Sequence, residues 1–173
     1  MNKSITIFQA VAVCLAISFV SCNTDKRSDI IGLNQNIHHD DFEYSVTSFS
    51  KTSEIIAEKD TLRTNDIFYL VHFKVVNEAL RVGHQWDNTI AYLVDEKGNR
   101  YENIKEVQDA LDRSLHFGVK NIYNTPHGSA DSTILVFNLP DGVKKPYLMV
   151  RGESLMGDVF DAGHFRKVKV ALF

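Results

Sequence analysis

Cysteine is almost missing from this chain. Only Cys14 and Cys22 occur among 173 residues, and none follows residue 22. The long body after that point therefore holds no disulfide, no thiolate metal site and no cysteine nucleophile. An excess of one charge is missing too. Lys and Arg number 19 against 22 Asp and Glu, a formal net charge of -3, and like charges never run beyond a pair. A basic patch is the electrostatic footprint of nucleic-acid binding, and none is present, so no nucleic-acid partner is expected. The sequence also lacks a phosphate-cradling glycine loop, a dinucleotide fingerprint and a Cys/His cluster, and no cofactor is expected. Long apolar runs are limited to one, Ile5 to Val20. It is shorter than the ~20 residues that cross a bilayer, and Gln9 interrupts it, so a spanning anchor is the weaker reading.

That run belongs to a three-part arrangement. Lys3 supplies a basic start, Ile5 to Val20 an apolar middle, and Ser21 a small residue directly before Cys22. These are the parts of an export signal. With cysteine directly after the cut, the segment resembles a bacterial lipoprotein signal peptide. The resemblance implies cleavage within Phe19-Val20-Ser21-Cys22, just before Cys22, and acylation of that cysteine. One acyl chain holds a protein only marginally, whereas the two or three carried by a lipoprotein cysteine hold it stably without a spanning helix. Asn23 follows the cysteine, so the inner-membrane retention signal with Asp at that place is absent. The expected location is the bacterial cell envelope, membrane-anchored and facing the periplasm or the surface.

Residues 1–21 thus form the signal, and 22–35 the lipidated cysteine and a polar, flexible tether. Residues 36–173 form one domain, long enough for a sizeable core. Its pattern has period two. Phe42, Tyr44 and Val46 alternate with polar residues, and Phe49 breaks the parity, predicting a bulge near Thr47 or Ser48. Ile67 to Val76 is the strongest strand, apolar on one face and mixed on the other. Thr89 to Asp95, Thr133 to Leu139, Tyr147 to Arg151 and Lys167 to Phe173 read as further strands. Gly98 is placed to take positive φ in the hairpin after Asp95. Ile104, Val107, Leu111 and Leu115 recur at spacings of three and four, predicting a short helix over 103–115 with Asn103 as N-cap, covering an open end of the fold; an irregular loop is the alternative. Strands separated by turn chemistry point to an all-β, antiparallel sandwich.

Three segments carry a further resemblance. They are the strand Phe68 to Asn77, the hairpin Leu93-Val94-Asp95-Glu96-Lys97-Gly98-Asn99-Arg100-Tyr101, and the strand exit Phe137-Asn138-Leu139-Pro140. In this order they resemble a family of immunoglobulin-like bacterial lipoprotein domains of unknown function, similar in shape to a mycobacterial secreted antigen. The resemblance covers roughly Asp41 to Phe173. It implies an immunoglobulin-like sandwich and brings no catalytic residues.

His38, His39, Asp40 and Asp41 supply metal-ligating types, but neighbours in an extended segment point to opposite sides, so a polar strand entry is the competing reading. His84, Trp86 and Asp87 read as a loop. An exposed Trp86 there is a binding anchor, while a buried one fills the core as in immunoglobulin-like domains. The stretch from Tyr123 to His127 reads as a second candidate loop. His72 sits mid-strand and reads as half-exposed. Gly152-Glu153-Ser154-Leu155-Met156-Gly157 misses the nucleophile-elbow spacing by one residue, so serine catalysis is not expected. The expected function is a non-enzymatic, lipid-anchored envelope protein. Its domain binds a protein or glycan partner through His84, Trp86, Asp87, Tyr123 and His127. The alternative is a small-ligand or divalent-metal binder, extended to hydrolysis if His38 to Asp41 hold an ion.

Overall fold

A computed structural model describes residues 29–57, 61–115, 122–151 and 168–173. The signal segment, Cys22, most of the tether and the Gly152–Gly157 stretch lie outside them. Eleven strands and one helix occur among the described residues. The first half of the chain holds β1 (Ile30–Ile31), β2 (Ile37–His39), β3 (Phe42–Ile56), β4 (Thr61–Asn77), β5 (His84–Trp86), β6 (Ala91–Val94) and β7 (Arg100–Tyr101). The second holds α1 (Lys105–Ser114), β8 (Tyr123–Thr125), β9 (Ser129–Leu139), β10 (Tyr147–Val150) and β11 (Lys169–Ala171).

Two sheets face each other, ordered β2-β3-β4-β9 and β1-β11-β10-β6-β7. All their pairings are antiparallel except β1 with β11. In immunoglobulin lettering, β3, β4 and β9 correspond to strands A, B and E, and β6, β10 and β11 to C, F and G. The chain folds as the all-β sandwich with one short helix that its sequence predicts. Residues 30–34 belong to the folded body: Ile30–Ile31 pairs with β11 and Asn34 N–H donates to Val46 O.

Side chains alternating along each strand build the core. Tyr69, Val71, Phe73 and Val75 of β4 meet Leu135, Phe137 and Leu139 of β9, with Leu93, Leu148 and Val170 from the facing sheet. The register of β3 on β4 shifts between Val46 and Ser48. That bulge returns Phe49 to the face that Val46 occupies, which accounts for the broken parity.

The outer face of β4 is apolar at Phe68 and Leu70, where it is covered, and turns polar at exposed His72 and at Lys74. Phe68 and Val136 pack there with Ile55 and with Leu111 of α1. The helix thus lies over the outer face, beside the free edge of β9, rather than over an open end. It occupies the place where strand D would follow C in an immunoglobulin sheet. Gln108, fully buried, substitutes for that strand: its amide oxygen accepts Val136 N–H at 3.0 Å and its nitrogen donates to Ile134 O at 2.7 Å. Asn103 does not cap the helix. The N-cap is Ile104, without a side-chain cap bond, and Asn103 Nδ2 donates to Gln108 Oε1 and Val136 O. Sealing an exposed strand edge takes precedence here over capping four helix N–H groups.

Candidate functional site

The β4–β5 connection is organised by one side chain. Asn77 ends β4 wholly buried. Its Nδ2 donates to Val82 O at 2.8 Å and to Thr125 O at 2.9 Å, and its Oδ1 accepts Ala79 N–H at 3.0 Å. Loop 78–83 is thereby tied to β8. A Cβ at Gly83 would lie 2.7 Å from Asn124 Oδ1, the tip of an exposed side chain, and 3.7 Å from Thr125 O, so β5 enters close beside β8.

β5 and β8 pair as a small ladder, with His84 opposite Thr125 and Trp86 opposite Tyr123. This corrects the expectation of two loops. Strand alternation turns His84, Trp86 and Tyr123 inward, to 2%, 5% and 7% exposure. Trp86 stacks on Tyr123 with ring centroids 4.1 Å apart and meets Phe73 edge-on. Its Nε1–H donates to Thr125 Oγ1 at 2.9 Å, and Thr125 donates on to Asp131 Oδ2 at 2.8 Å. The His84 ring stacks on Phe42 at 3.9 Å, with Nε2 2.9 Å from the Tyr44 hydroxyl. Burial pushes the Tyr123 phenol above its ordinary range, so it stays protonated and hydrogen-bonded to Thr133. The core-filling reading of Trp86 therefore holds, and the exposed-anchor reading is lost. Asp87 is half-buried and shapes the turn into β6, its Oδ1 accepting both the N–H and the hydroxyl of Thr89. His127 alone of the five binding candidates is exposed, beside Gly128 at φ +67°.

The aromatic cluster backs a cleft of about 450 Å³. Tyr44, His84, Trp86 and Ile90 give it an aromatic and apolar wall, and Gln85, Asp87 and Arg151 bring polar groups to it. Arg151, just past β10, pairs through Nη2 with Glu102 and lies over the Tyr92 ring at 5.4 Å. Its Nε is buried without a hydrogen-bond partner among the described residues. Sequence reasoning missed Tyr44 and Arg151 as lining groups. A core-pattern tyrosine and a single arginine at a strand end carry no local signal of a cleft.

The four metal candidates are not gathered. His38 and His39 alternate along β2, His38 Nδ1 sits 3.1 Å from Glu43, and Asp40 turns the chain at φ +51°. Among the described residues no group of three or more His, Cys, Asp or Glu could hold a metal ion. His72 is exposed on the outer face of β4. No described helix is long and apolar enough to cross a membrane.

No protein-family model and no curated protein matches the chain. Solved structures do. A conserved hypothetical protein from Bacillus anthracis is similar with TM-score 0.59 at 15% identity, over 82% of this chain and 94% of that one. The yjhA protein of Bacillus subtilis is similar with TM-score 0.55 at 9% identity, over 82% of this chain and 98% of that one. A third, described as a candidate lipoprotein, ycdA of Bacillus subtilis, gives TM-score 0.52 at 14% identity over 79% of this chain; the match spans 38% of its length. At such identities the likeness establishes the β-sandwich and nothing finer.

Proposed function

We propose that the protein is a lipid-anchored binding module of the bacterial envelope, held by acyl chains on Cys22, which takes a small polar molecule with an apolar face into the β5–β8 cleft without catalysing a reaction. The cleft carries the reading. Its volume lies in the ~300–1,000 Å³ range of small-molecule sites, and an apolar wall with a few convergent polar groups is their usual lining. A sugar ring or a small aromatic acid has the matching chemistry, with one face for the aromatic wall and polar groups for Gln85, Asp87 and Arg151. Two observations favour binding over turnover. The imidazole of His84 is engaged with Tyr44 and stacked on Phe42, and Asp87 Oδ1 serves its turn.

Trp86 is the sole tryptophan and lines the cleft, so its fluorescence reports occupancy directly. Envelope saccharides and aromatic acids titrated into the full protein should include one that changes this signal and raises the melting temperature by mass action. Arg151→Ala should weaken both effects. If no such compound perturbs Trp86, while crosslinking in cells captures a protein at these same residues, the small-molecule reading is wrong and a protein partner takes its place.

The anchor has its own test. Cys22→Ser should release the protein from membranes or leave its signal uncut. Continued membrane attachment through an acyl group elsewhere would sink the lipoprotein assignment.

A further inference from the structure

Strand direction determines which end of the sandwich lies nearest the anchor. β4 runs toward loop 78–83, and β9, antiparallel to it, runs away. The 140–146 connection turns the chain back, so β10 heads toward the loop end, β11 away from it, and β1, parallel to β11, also away. The first described residue, Asp29, thus leaves the fold at the end that carries loop 78–83. Lys169 N–H donates to Asp29 O and fixes that exit. Six residues lie between Cys22 and Asp29, so the two are at most about 25 Å apart along extended chain.

Loop 78–83 presents Leu80 at 88% and Val82 at 57% exposure, on either side of exposed Arg81. The loop is held, not loose: Asn77 binds Ala79 and Val82 from the buried side, and Glu78 N–H donates to Asp41 O. Two apolar side chains are thereby displayed in water by a buried polar clamp. At the opposite end the exposed apolar groups are of another kind. Phe173 lies edge-on to Tyr147, and Ile56 stands singly, which needs no explanation.

We propose that Leu80 and Val82 enter the lipid layer to which acylated Cys22 is tied, so that loop 78–83 sets the orientation of the domain on the membrane. This inference rests on the lipid anchor proposed above and is independent of the cleft. Exposed Asp40, Asp41 and Glu78 share the loop end with Arg81, so apolar insertion rather than charge drives the contact. Insertion of this kind requires no anionic lipid and changes little with salt.

The test uses the full acylated protein in phosphatidylcholine and phosphatidylethanolamine vesicles that carry a nitroxide lipid. With Cys22 acylated, Leu80→Cys offers one thiol for a fluorophore, and exposed Asp141→Cys provides the reference at the far end. The label at 80 should be quenched by the nitroxide lipid several-fold more strongly than the label at 141, in low and in high salt. Equal quenching at both positions in a protein that floats with the vesicles overturns the orientation alone. A protein that does not float, with an unacylated N-terminal peptide by mass, overturns the anchor and the orientation with it. Shielding of residue 80 that appears only after envelope extract is added means that a protein covers the loop, and also overturns the proposal.

Discussion

Asp95 and Asp112 are the same group in similar seclusion, 9% and 1% exposed, yet the fold treats them in opposite ways. Asp95 opens the β6–β7 hairpin. Its Oδ1 accepts the backbone N–H of Lys97 and Asn99, and its Oδ2 accepts Asn99 Nδ2 and the Tyr101 hydroxyl. Desolvation pushes this carboxyl up, but the donors from Asn99, Tyr101 and Lys97 outweigh it and hold the group below its ordinary value of 3.8. Asp112 lies on the buried side of α1, where among the described residues Oδ1 accepts a bond from Gln108 Nε2 and Oδ2 is buried without one. Desolvation dominates there. Gln108 offsets part of it, neighbouring Asp109 adds to it, and the carboxyl is held above its ordinary range. The difference lies in local geometry. A tight turn aims free backbone N–H groups at the side chain that starts it, whereas helix N–H groups past the first turn are already bonded to carbonyls. A buried helical Asp must find its donors among side chains.

The sharpest way to break the α1 side of this comparison is to remove Gln108. Among the described residues it supplies the one bond that Asp112 accepts, and it also satisfies Val136 N–H and Ile134 O on the edge of β9. Gln108→Ala leaves these buried groups unpaired and should cost about 3 kcal/mol. The change is read from the urea midpoint, together with faster hydrogen exchange at the Val136 amide. A loss below ~1 kcal/mol, with exchange unchanged, would mean that water seals the edge as well as glutamine does.

The hairpin side predicts a smaller effect of opposite pH dependence. Because the folded state lowers the pKa of Asp95, its stabilisation is present at neutral pH. It disappears as pH falls below the ordinary 3.8 and through the folded value. Asp95→Ala should lower the melting temperature at pH 7, and the difference from the parent should shrink in acid. A difference that stays constant from pH 7 to pH 2 would show that the turn is held by Gly98 at φ +85° and by Tyr101 packing, and not by the carboxylate.

These two regions were unequally legible in the sequence. The hairpin was readable because Asp95, Gly98, Asn99 and Tyr101 act on each other within seven residues, and turn chemistry is local. The strands, the bulge before Phe49 and the existence of the helix follow likewise from periodicity. What Gln108 does was not readable. Its partners lie 26 and 28 residues away on an edge whose exposure only the sheet order reveals. The cleft failed for the same reason. Three of its lining residues, His84, Trp86 and Asp87, were singled out as chemistry-bearing, but the pairing of β5 with β8 that turns two of them inward is a contact 37 to 41 residues apart in sequence. The anchor at Cys22 lies outside the described residues and rests on sequence alone.

The smallest expected effect runs against intuition, because it is a gain. Asp112→Asn keeps an oxygen to accept the Gln108 bond and removes the charge that burial penalises. The raised pKa fixes the sign: protonated Asp112 contributes stability that is fully present below the ordinary 3.8 and is lost as pH rises through the folded value. At neutral pH the parent therefore carries a buried charge with one unsatisfied oxygen, and the amide does not. The substituted protein should be more stable than the parent at pH 7 and indistinguishable from it at pH 3, measured by urea unfolding at both. In combination with Gln108→Ala the gain should grow, since the charge then loses its only bond, and the two effects should fail to add. A substitution that is neutral at pH 7 would mean that the carboxylate draws enough solvation through the helix ends to behave as a surface group. The contrast with Asp95 would then reduce to hairpin donors alone.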